Sequence, residues 1–265
     1  MKNPTDVKIK FIGTSSGVTS ADRFHSSFVI ESGESKILID AGDSVCKALL
    51  NSGYKFTDIT DIIFTHFHAD HVSGIAPLLT QMKIIGRTEP LRIFCPAGLI
   101  ASLEYYLEMT NLFAENFGYQ FSIIPMNERE TLSIGNGIST HFIKNTHIQP
   151  KALTNRKYDI PFLSGSLLIR TDAGNIFYTS DVCDASDLQL FGNNQIDLFI
   201  SETAHVSLDD IVEAWLKSGA KKLILTHYED EQYDTLKQFT STSYPAGKLA
   251  ETAYDGMETF LTSQS

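Results

Sequence analysis

One segment of the chain constrains its fold and its chemistry more than any other, the run from Thr65 to His71. It places four side chains of metal-ligand type within six residues: His66, His68, Asp70 and His71. The stretch before it, Asp61–Thr65, is a nearly continuous apolar run, typical of a buried strand. A tight loop after such a strand can direct several side chains at one point, and imidazole with carboxylate suits a cation such as zinc. With only 8 histidines in the chain, we interpret the run as a metal site rather than as a polar loop with chance histidines.

Further candidate ligands each follow a predicted strand elsewhere in the sequence. They are His147 after Gly137–Lys144, Asp181 after Phe177–Ser180, and His227 after Leu223–Thr226. A lone histidine at a strand end is more often structural, but the shared position of these three favours a common site. His141 competes with His147, yet it lies inside the strand pattern, where burial and a backbone partner would explain it.

The composition is that of a globular protein. Apolar residues make up 42% and charged residues 20% of the 265 positions, and we expect a single domain over residues 1–265. The net charge of −11 argues against a general nucleic-acid binder, so no DNA partner is expected. No apolar run reaches the length of a signal peptide or a membrane span. No membrane partner is expected for that reason, and three cysteines without a CxxC spacing favour a reduced cytoplasm.

The chain alternates short β-like runs with amphipathic helices, which predicts an α/β protein in two similar halves. Leu208–Ser218 is the clearest helix, with Ser207 as N-cap and Gly219 as its end. A hairpin is expected around Asp172 to Gly174. Two sheets packed together, with helices outside, would bury the apolar faces of these elements.

The ligand pattern resembles that of the metallo-β-lactamase-fold hydrolases. The resemblance implies a four-layer αβ/βα sandwich with two divalent ions, zinc first and manganese as the alternative. It assigns the first ion to His66, His68 and His147, the second to Asp70, His71 and His227, and the bridging position to Asp181. Cys183 is expected to be a small buried residue and not a ligand.

A finer resemblance, to ribonuclease Z and the cyclic phosphodiesterases related to it, covers most of the chain. The matching segments are Gly13–Val18, His25–Ser27, Leu38–Gly42, Gly86–Leu91, Glu202–His205 and Ala253–Met257, the last expected to be a final strand. The resemblance implies that Asp40 supports the histidine loop without binding metal. It also implies that His205 is a proton donor, oriented by Glu202 or another carboxylate. A homodimer is suggested by this resemblance alone.

One departure from ribonuclease Z concerns the long arm that grips tRNA. His147 and Asp181 are only 34 positions apart, and the predicted hairpin uses half of that interval. The remaining loop, Ile148–Ser164, has only three cationic residues: Lys151, Arg156 and Lys157. The arm is therefore expected to be missing.

These observations predict a binuclear-metal phosphodiesterase acting on a small or cyclic phosphodiester or on an RNA end. A metal-bridging hydroxide would be the nucleophile and His205 the general acid, with Asp70 and Glu202 in the catalytic set. Three alternatives stay open: tRNA 3′-end processing as in ribonuclease Z, thioester, lactone or lactam hydrolysis, and a non-catalytic, metal-stabilised binding protein. The spare histidine argues against the last, because purely structural zinc sites are usually closed by four ligands.

Overall fold

The computed structural model describes residues 6–149, 161–242 and 244–262. Its strands are β1 (Val7–Gly13), β2 (Ser27–Ser32), β3 (Ser35–Ile39), β4 (Asp61–Ile63), β5 (Leu91–Pro96), β6 (Phe121–Met126), β7 (Thr131–Gly135), β8 (Ile138–Lys144), β9 (Gly165–Thr171), β10 (Gly174–Tyr178), β11 (Leu198–Glu202), β12 (Lys222–Thr226), β13 (Leu249–Thr252) and β14 (Glu258–Leu261). They form two mixed sheets, ordered β14-β1-β2-β3-β4-β5-β6 and β13-β12-β11-β10-β9-β8-β7. The sequence thus folds as two halves of similar architecture, as predicted.

Helices cover the outer faces of both sheets. They are α1 (Val45–Asn51), α2 (Ala69–Val72), α3 (Ile75–Ile84), α4 (Ile100–Met109), α5 (Leu208–Ser218) and α6 (Tyr233–Thr240). In the part of the chain described, no helix combines the length and apolarity needed to cross a bilayer.

Three apolar layers hold the sandwich together. The central layer lies between the two sheets and includes Phe28 and Tyr178, whose rings meet edge to face. The first outer layer joins one sheet to α1, α3 and α4. The second packs Trp215 of α5 against Leu223 and neighbouring residues of the other sheet. These layers confirm the predicted four-layer αβ/βα sandwich.

Helix α5 shows how the local sequence fixes its own boundaries. The Ser207 side chain accepts a hydrogen bond from the Asp210 amide at the start, and Gly219 adopts a left-handed conformation at the end. Ile211, Ala214 and Trp215 form its buried face. The predicted bounds, cap and stop are all confirmed.

Several predicted strands are wrong in their extent. The strand before Asp181 was expected to reach Ser180 but ends at Tyr178, and Ser180 has a φ of 53°. Strand β4 was expected to reach Thr65 but ends at Ile63, because the Thr65 amide leaves the ladder and donates to the Asp40 carboxylate. Ala253–Met257 is the connection between β13 and β14 rather than a strand, and Gly256 within it has a φ of 91°. Its Asp255 carboxylate accepts a hydrogen bond from the Phe24 amide. At Thr65 and at Asp255, a hydrogen bond between residues far apart in the sequence takes the place of regular hydrogen bonds between strands.

The strand ends that precede the candidate ligands lie along one edge of the molecule. Strands β3 and β4 run parallel, as do β10, β11 and β12, and β8 has the direction of β10 through two antiparallel pairings. The chain turns sharply there, since Asp40, Ser180 and His227 all have φ between 53° and 57°. Such conformations are costly outside glycine and cluster at functional sites. The predicted loop Ile148–Ser164 falls mostly outside the described residues, as do Lys151, Arg156 and Lys157.

Candidate metal centre

The histidine loop is anchored by Asp40, which follows β3. One carboxylate oxygen accepts the Thr65 amide at 2.8 Å. The other accepts the Thr65 hydroxyl at 2.8 Å and lies 2.9 Å from His71 Nδ1. Burial raises the pKa of Asp40, and the neighbouring His71 opposes that shift. Because His71 Nδ1 is held by Asp40, its Nε2 is the nitrogen left for the centre, as expected of a supporting residue.

Two glycines let the segment after β3 and the histidine loop approach each other closely. A Cβ on Gly42 would lie 2.1 Å from the Asp70 carbonyl oxygen, and one on Gly74 would lie 2.2 Å from the Gly42 carbonyl oxygen. The Ala41 amide donates to the His71 carbonyl at 2.7 Å. Glycine at positions 42 and 74 is therefore required by packing against the ligand loop.

A first group of donor atoms brings together His66, His68, His147 and Asp181. His147 Nε2 lies 3.0 Å from His68 Nδ1 and 3.6 Å from Asp181 Oδ2. His66 Nε2 lies 3.9 Å from the same carboxylate oxygen. These are the residues that the resemblance assigned to one ion, together with the expected bridging carboxylate.

A second group consists of Asp70, His71, Asp181 and His227. His227 Nε2 lies 3.1 Å from Asp70 Oδ2 and 3.4 Å from Asp181 Oδ1. His71 Nε2 lies 3.2 Å from Asp181 Oδ1 and 3.5 Å from Asp70 Oδ2. Asp181 thus presents Oδ2 to the first group and Oδ1 to the second.

Both groups fit divalent ions. A tetrahedral zinc with bonds of about 2.0–2.1 Å places its ligand atoms about 3.3 Å apart, close to the separations in both groups. Among the described residues, His66 Nε2 is buried without a hydrogen-bond partner, as expected of an atom that serves as a metal ligand. Burial lowers the pKa of His66 well below its usual value and so favours the neutral form that binds metal.

The second group carries the opposite electrostatic signal. Burial is the largest single effect and works against protonation of His71 and His227, yet the neighbouring carboxylates together outweigh it. Asp181 acts on both imidazoles, with Asp40 at His71 and Asp70 at His227, and the pKa of both is raised. Those histidines in turn hold the pKa of Asp181 well below its usual range despite burial. The carboxylates of this group therefore favour a positive charge between the side chains. A divalent ion would supply that charge in place of protons.

His205 stands beside both groups without belonging to either. Its ring centroid lies 4.8 Å from that of His147 and 6.2 Å from that of His227. Its Nδ1 is 3.0 Å from Glu202 Oε1, and this hydrogen bond raises the pKa of His205 against the effect of burial. Glu202 is buried, and its carboxylate also accepts the amides of Val182 and Ala204. The arrangement fixes one ring nitrogen of His205 and leaves Nε2 to carry a transferable proton.

The other residues considered in the sequence, His141, His25 and Cys183, belong to neither group of ligand atoms. His141 lies in β8 as predicted, but it is half-buried and its Nε2 has no hydrogen-bond partner among the described residues. His25 is buried, and its Nδ1 donates to the Ser16 carbonyl at 2.8 Å. Cys183 is exposed, so the expectation of a buried residue is wrong. The turn after Asp181 carries the Cys183 amide inward to the Asp187 carboxylate and leaves the thiol outside.

Sequence reasoning missed the hydroxyl groups that support His66. Its Nδ1 lies 3.1 Å from the Thr65 hydroxyl, which also accepts a hydrogen bond from the Ser180 hydroxyl at 2.8 Å. Thr65 and Ser180 each directly precede a candidate ligand, Thr65 before His66 and Ser180 before Asp181. Their position next to a candidate ligand is the sequence feature that could have indicated this supporting role, because polar residues next to ligands often orient them.

Comparison with known proteins places the chain in a family. A family model described as Anti-Pycsar protein Apyc1 matches residues 7–244. The Anti-Pycsar protein Apyc1 of Paenibacillus xerothermodurans is 28% identical over 261 residues, covering 92% of this chain and 94% of the relative. A ribonuclease Z of Gemmatimonas aurantiaca is 25% identical over 304 residues, covering 94% of each protein. That second alignment is longer than the 265-residue chain, so it contains gaps in this sequence.

Solved structures share the fold. The metallo-β-lactamase-fold protein YhfI from Bacillus subtilis has a TM-score of 0.76 at 20% identity, covering 96% of this chain and 99% of its own. The short form of human tRNase Z has a TM-score of 0.72 at 18% identity, with the same coverage of 96% and 99%. The chain therefore has the metallo-β-lactamase fold that its ligand pattern predicted, in the branch related to ribonuclease Z.

The geometry predicts that Asp40 controls metal affinity through His71. Asp40→Asn keeps a residue type that tolerates positive φ but removes the charge that holds His71 Nδ1. We expect metal affinity to fall about 10–100-fold, measured by competition with a chromophoric chelator.

Asp61→Asn is the matched control. Asp61 is equally buried and lies in the same sheet, but at the opposite end of β4, where it pairs with Arg92 at 2.6 Å. This variant should lower the unfolding temperature and leave metal affinity unchanged. Equal losses of affinity in both variants would mean that Asp40 acts only through general stability.

Proposed function

The chain belongs to the Anti-Pycsar protein Apyc1 family, and on that basis we propose that it is a binuclear-metal phosphodiesterase cleaving a small phosphodiester such as a cyclic nucleotide. One observation carries the proposal. Asp181 offers its two carboxylate oxygens to two separate groups of ligand atoms, and His205 stands beside both. Purely structural zinc sites close around four ligands and have no use for such a neighbour.

Two divalent ions in these groups, zinc foremost, would supply acidified water at neutral pH and positive charge against phosphate oxygens. The chain itself supplies the geometry. The Asp40 carboxylate orients His71, and the hydroxyl of Thr65 supports His66. The candidate ligand His68 and the neighbouring His205 are exposed, while the other candidate ligands are more buried, so a substrate would enter on the side of these two histidines.

His205 gives the proposal its reaction class. Cleavage of a phosphodiester expels an alkoxide, which needs a proton as the bond breaks. The hydrogen bond to Glu202 fixes Nδ1 of His205 and raises the pKa of His205, which favours a proton on Nε2. Hydrolysis of a thioester expels a thiolate that leaves without such help, so His205 favours the phosphodiester over that alternative.

The short interval between two ligand positions and the net charge of the chain both favour a small substrate. The interval between His147 and Asp181 is 34 positions, and β9 and β10 occupy part of it. The longer alignment with ribonuclease Z is consistent with a segment that this chain lacks. A net charge of −11 is also unfavourable for a polyanion as large as tRNA. The expected single domain, cytoplasmic location and homodimer remain predictions.

Metal content is the first test. We expect two ions per chain by elemental analysis of protein purified without chelators. Asp181→Ala should lose at least one ion and most activity towards bis-p-nitrophenyl phosphate, because one carboxylate serves both groups. Asp184→Ala should change neither, because Asp184 is an exposed neighbour whose carboxylate accepts hydrogen bonds from Ser186. A single ion in the unaltered protein would contradict the binuclear assignment.

The role of His205 is tested by comparing two histidine variants. His205→Ala should keep both ions while kcat falls about 10²–10⁴-fold for a substrate with a poor leaving group. The loss should shrink for p-nitrophenolate, which leaves without protonation. His227→Ala should lose metal and affect all substrates alike. Metal loss in both variants, with no dependence on leaving group, would make His205 a ligand or a structural residue.

Substrate size is tested with a direct comparison. Cyclic nucleotides should be cleaved with a higher kcat/KM than a precursor tRNA under identical metal and salt conditions. Cleavage of the precursor tRNA at its 3′ side, with a rate that drops steeply as salt rises, would instead support a ribonuclease Z activity.

A further inference from the structure

Two buried polar residues outside the ligand set join the loops that carry His147 and Asp181. Asn145 directly follows β8 and lies two positions before His147. Asp187 begins a short 3₁₀ turn six positions after Asp181. Both side chains are almost completely buried, at 2% and 1% exposure.

Asn145 forms hydrogen bonds with the backbone of both loops. Its Oδ1 accepts the His147 amide at 3.3 Å, and its Nδ2 donates to the Asp181 carbonyl at 2.8 Å. The Ser164 hydroxyl also donates to Oδ1, at 2.5 Å. One amide side chain therefore contacts the main chain of a candidate ligand in each of two loops.

Asp187 makes a second connection between the same loops. Its carboxylate accepts the Thr146 amide at 3.1 Å and the Thr146 hydroxyl at 2.7 Å. It also accepts the Cys183 amide at 3.0 Å. Thr146 directly precedes His147, and Cys183 lies two positions after Asp181.

A buried carboxylate is costly unless donors surround it. Within the described ranges, the donors to the Asp187 carboxylate are the Thr146 amide and hydroxyl and the Cys183 amide, and these hydrogen bonds offset the cost of burying it. Moving either loop would break hydrogen bonds to a buried charge. The separation of the two loops is thereby fixed within the tolerance of those bonds.

We propose that Asn145 and Asp187 are positioning residues that set the distance between His147 and Asp181, and with it the affinity and geometry of the ion bound by His66, His68, His147 and Asp181. This inference rests on the metal centre of the proposed function. It does not depend on which bond the protein hydrolyses.

The test uses cobalt as a probe of coordination geometry. Asp187→Ala, in the full chain, should bind the ion of the group His66, His68, His147 and Asp181 about 10-fold less tightly, the lower end of what partners behind the ligands usually contribute. It should also change the visible absorption of the cobalt-loaded protein, because the ligand field depends on ligand positions. Asp187→Asn should lie between Asp187→Ala and the unaltered protein, since its amide oxygen still accepts from Thr146 or Cys183.

Asp197→Ala is the matched control. Asp197 also accepts a backbone amide near this sheet, that of Asn175 at 2.8 Å, but its contacts lie at the other end of β10. It should lower the unfolding temperature of the metal-free protein without changing the cobalt spectrum. If Asp187→Ala fails to fold, Thr146→Val removes a single donor to Asp187 and should shift the same spectrum less.

An unchanged cobalt affinity and spectrum in Asp187→Ala or, failing that, in Thr146→Val would overturn the inference. So would equal changes in Asp197→Ala. Because the readouts are affinity and absorption, a protein that binds two ions but cleaves no phosphodiester would contradict the proposed function and leave this inference standing.

Discussion

The buried carboxylate of Asp40 is the interaction on which the rest of the site depends. A charge with no solvent contact is tolerated only when donors satisfy it, and here the donors come from the Thr65 amide and hydroxyl and from His71. Meeting that requirement pulls the chain out of β4 and into the ligand loop. The loop then brings its two carbonyls, those of Asp70 and His71, against the backbone at Ala41 and Gly42. One buried charge thus fixes where the strand ends and where the histidines begin.

The charge balance of the centre is the next constraint. Without an ion, the carboxylates of Asp70 and Asp181 must be offset by protons on His71 and His227, whose pKa values are raised accordingly. A divalent ion would replace those protons, so metal binding would release protons and weaken as pH falls. His66 behaves differently, because burial keeps it neutral and ready to coordinate. The two groups that share Asp181 therefore differ in how strongly protons compete for them.

The features that could be predicted from the sequence are those that depend on residues close together in the chain. The ligand run, the bounds of α5 and the strand-then-ligand positions of His147, Asp181 and His227 could all be read from neighbouring residues. The positive φ at Asp40, Ser180 and His227 could not, because only long-range contacts hold non-glycine residues in that conformation. The exposure of Cys183 and the end of β4 were mispredicted for the same reason. In both, a hydrogen bond to a carboxylate brought close only by the fold decides the backbone path.

The position of the centre also couples metal binding to the assembly of the fold. His66, His68, Asp70 and His71 follow a strand of the first sheet, while His147, Asp181 and His227 follow strands of the second. Each group of ligand atoms contains members from both sheets, so an ion in either group ties the two halves together at one edge. A ligand that binds only the folded chain stabilises it by about 4 kcal/mol when present at a thousand times its dissociation constant. Because the apolar layer between the sheets already joins the halves without metal, that contribution adds to an existing fold.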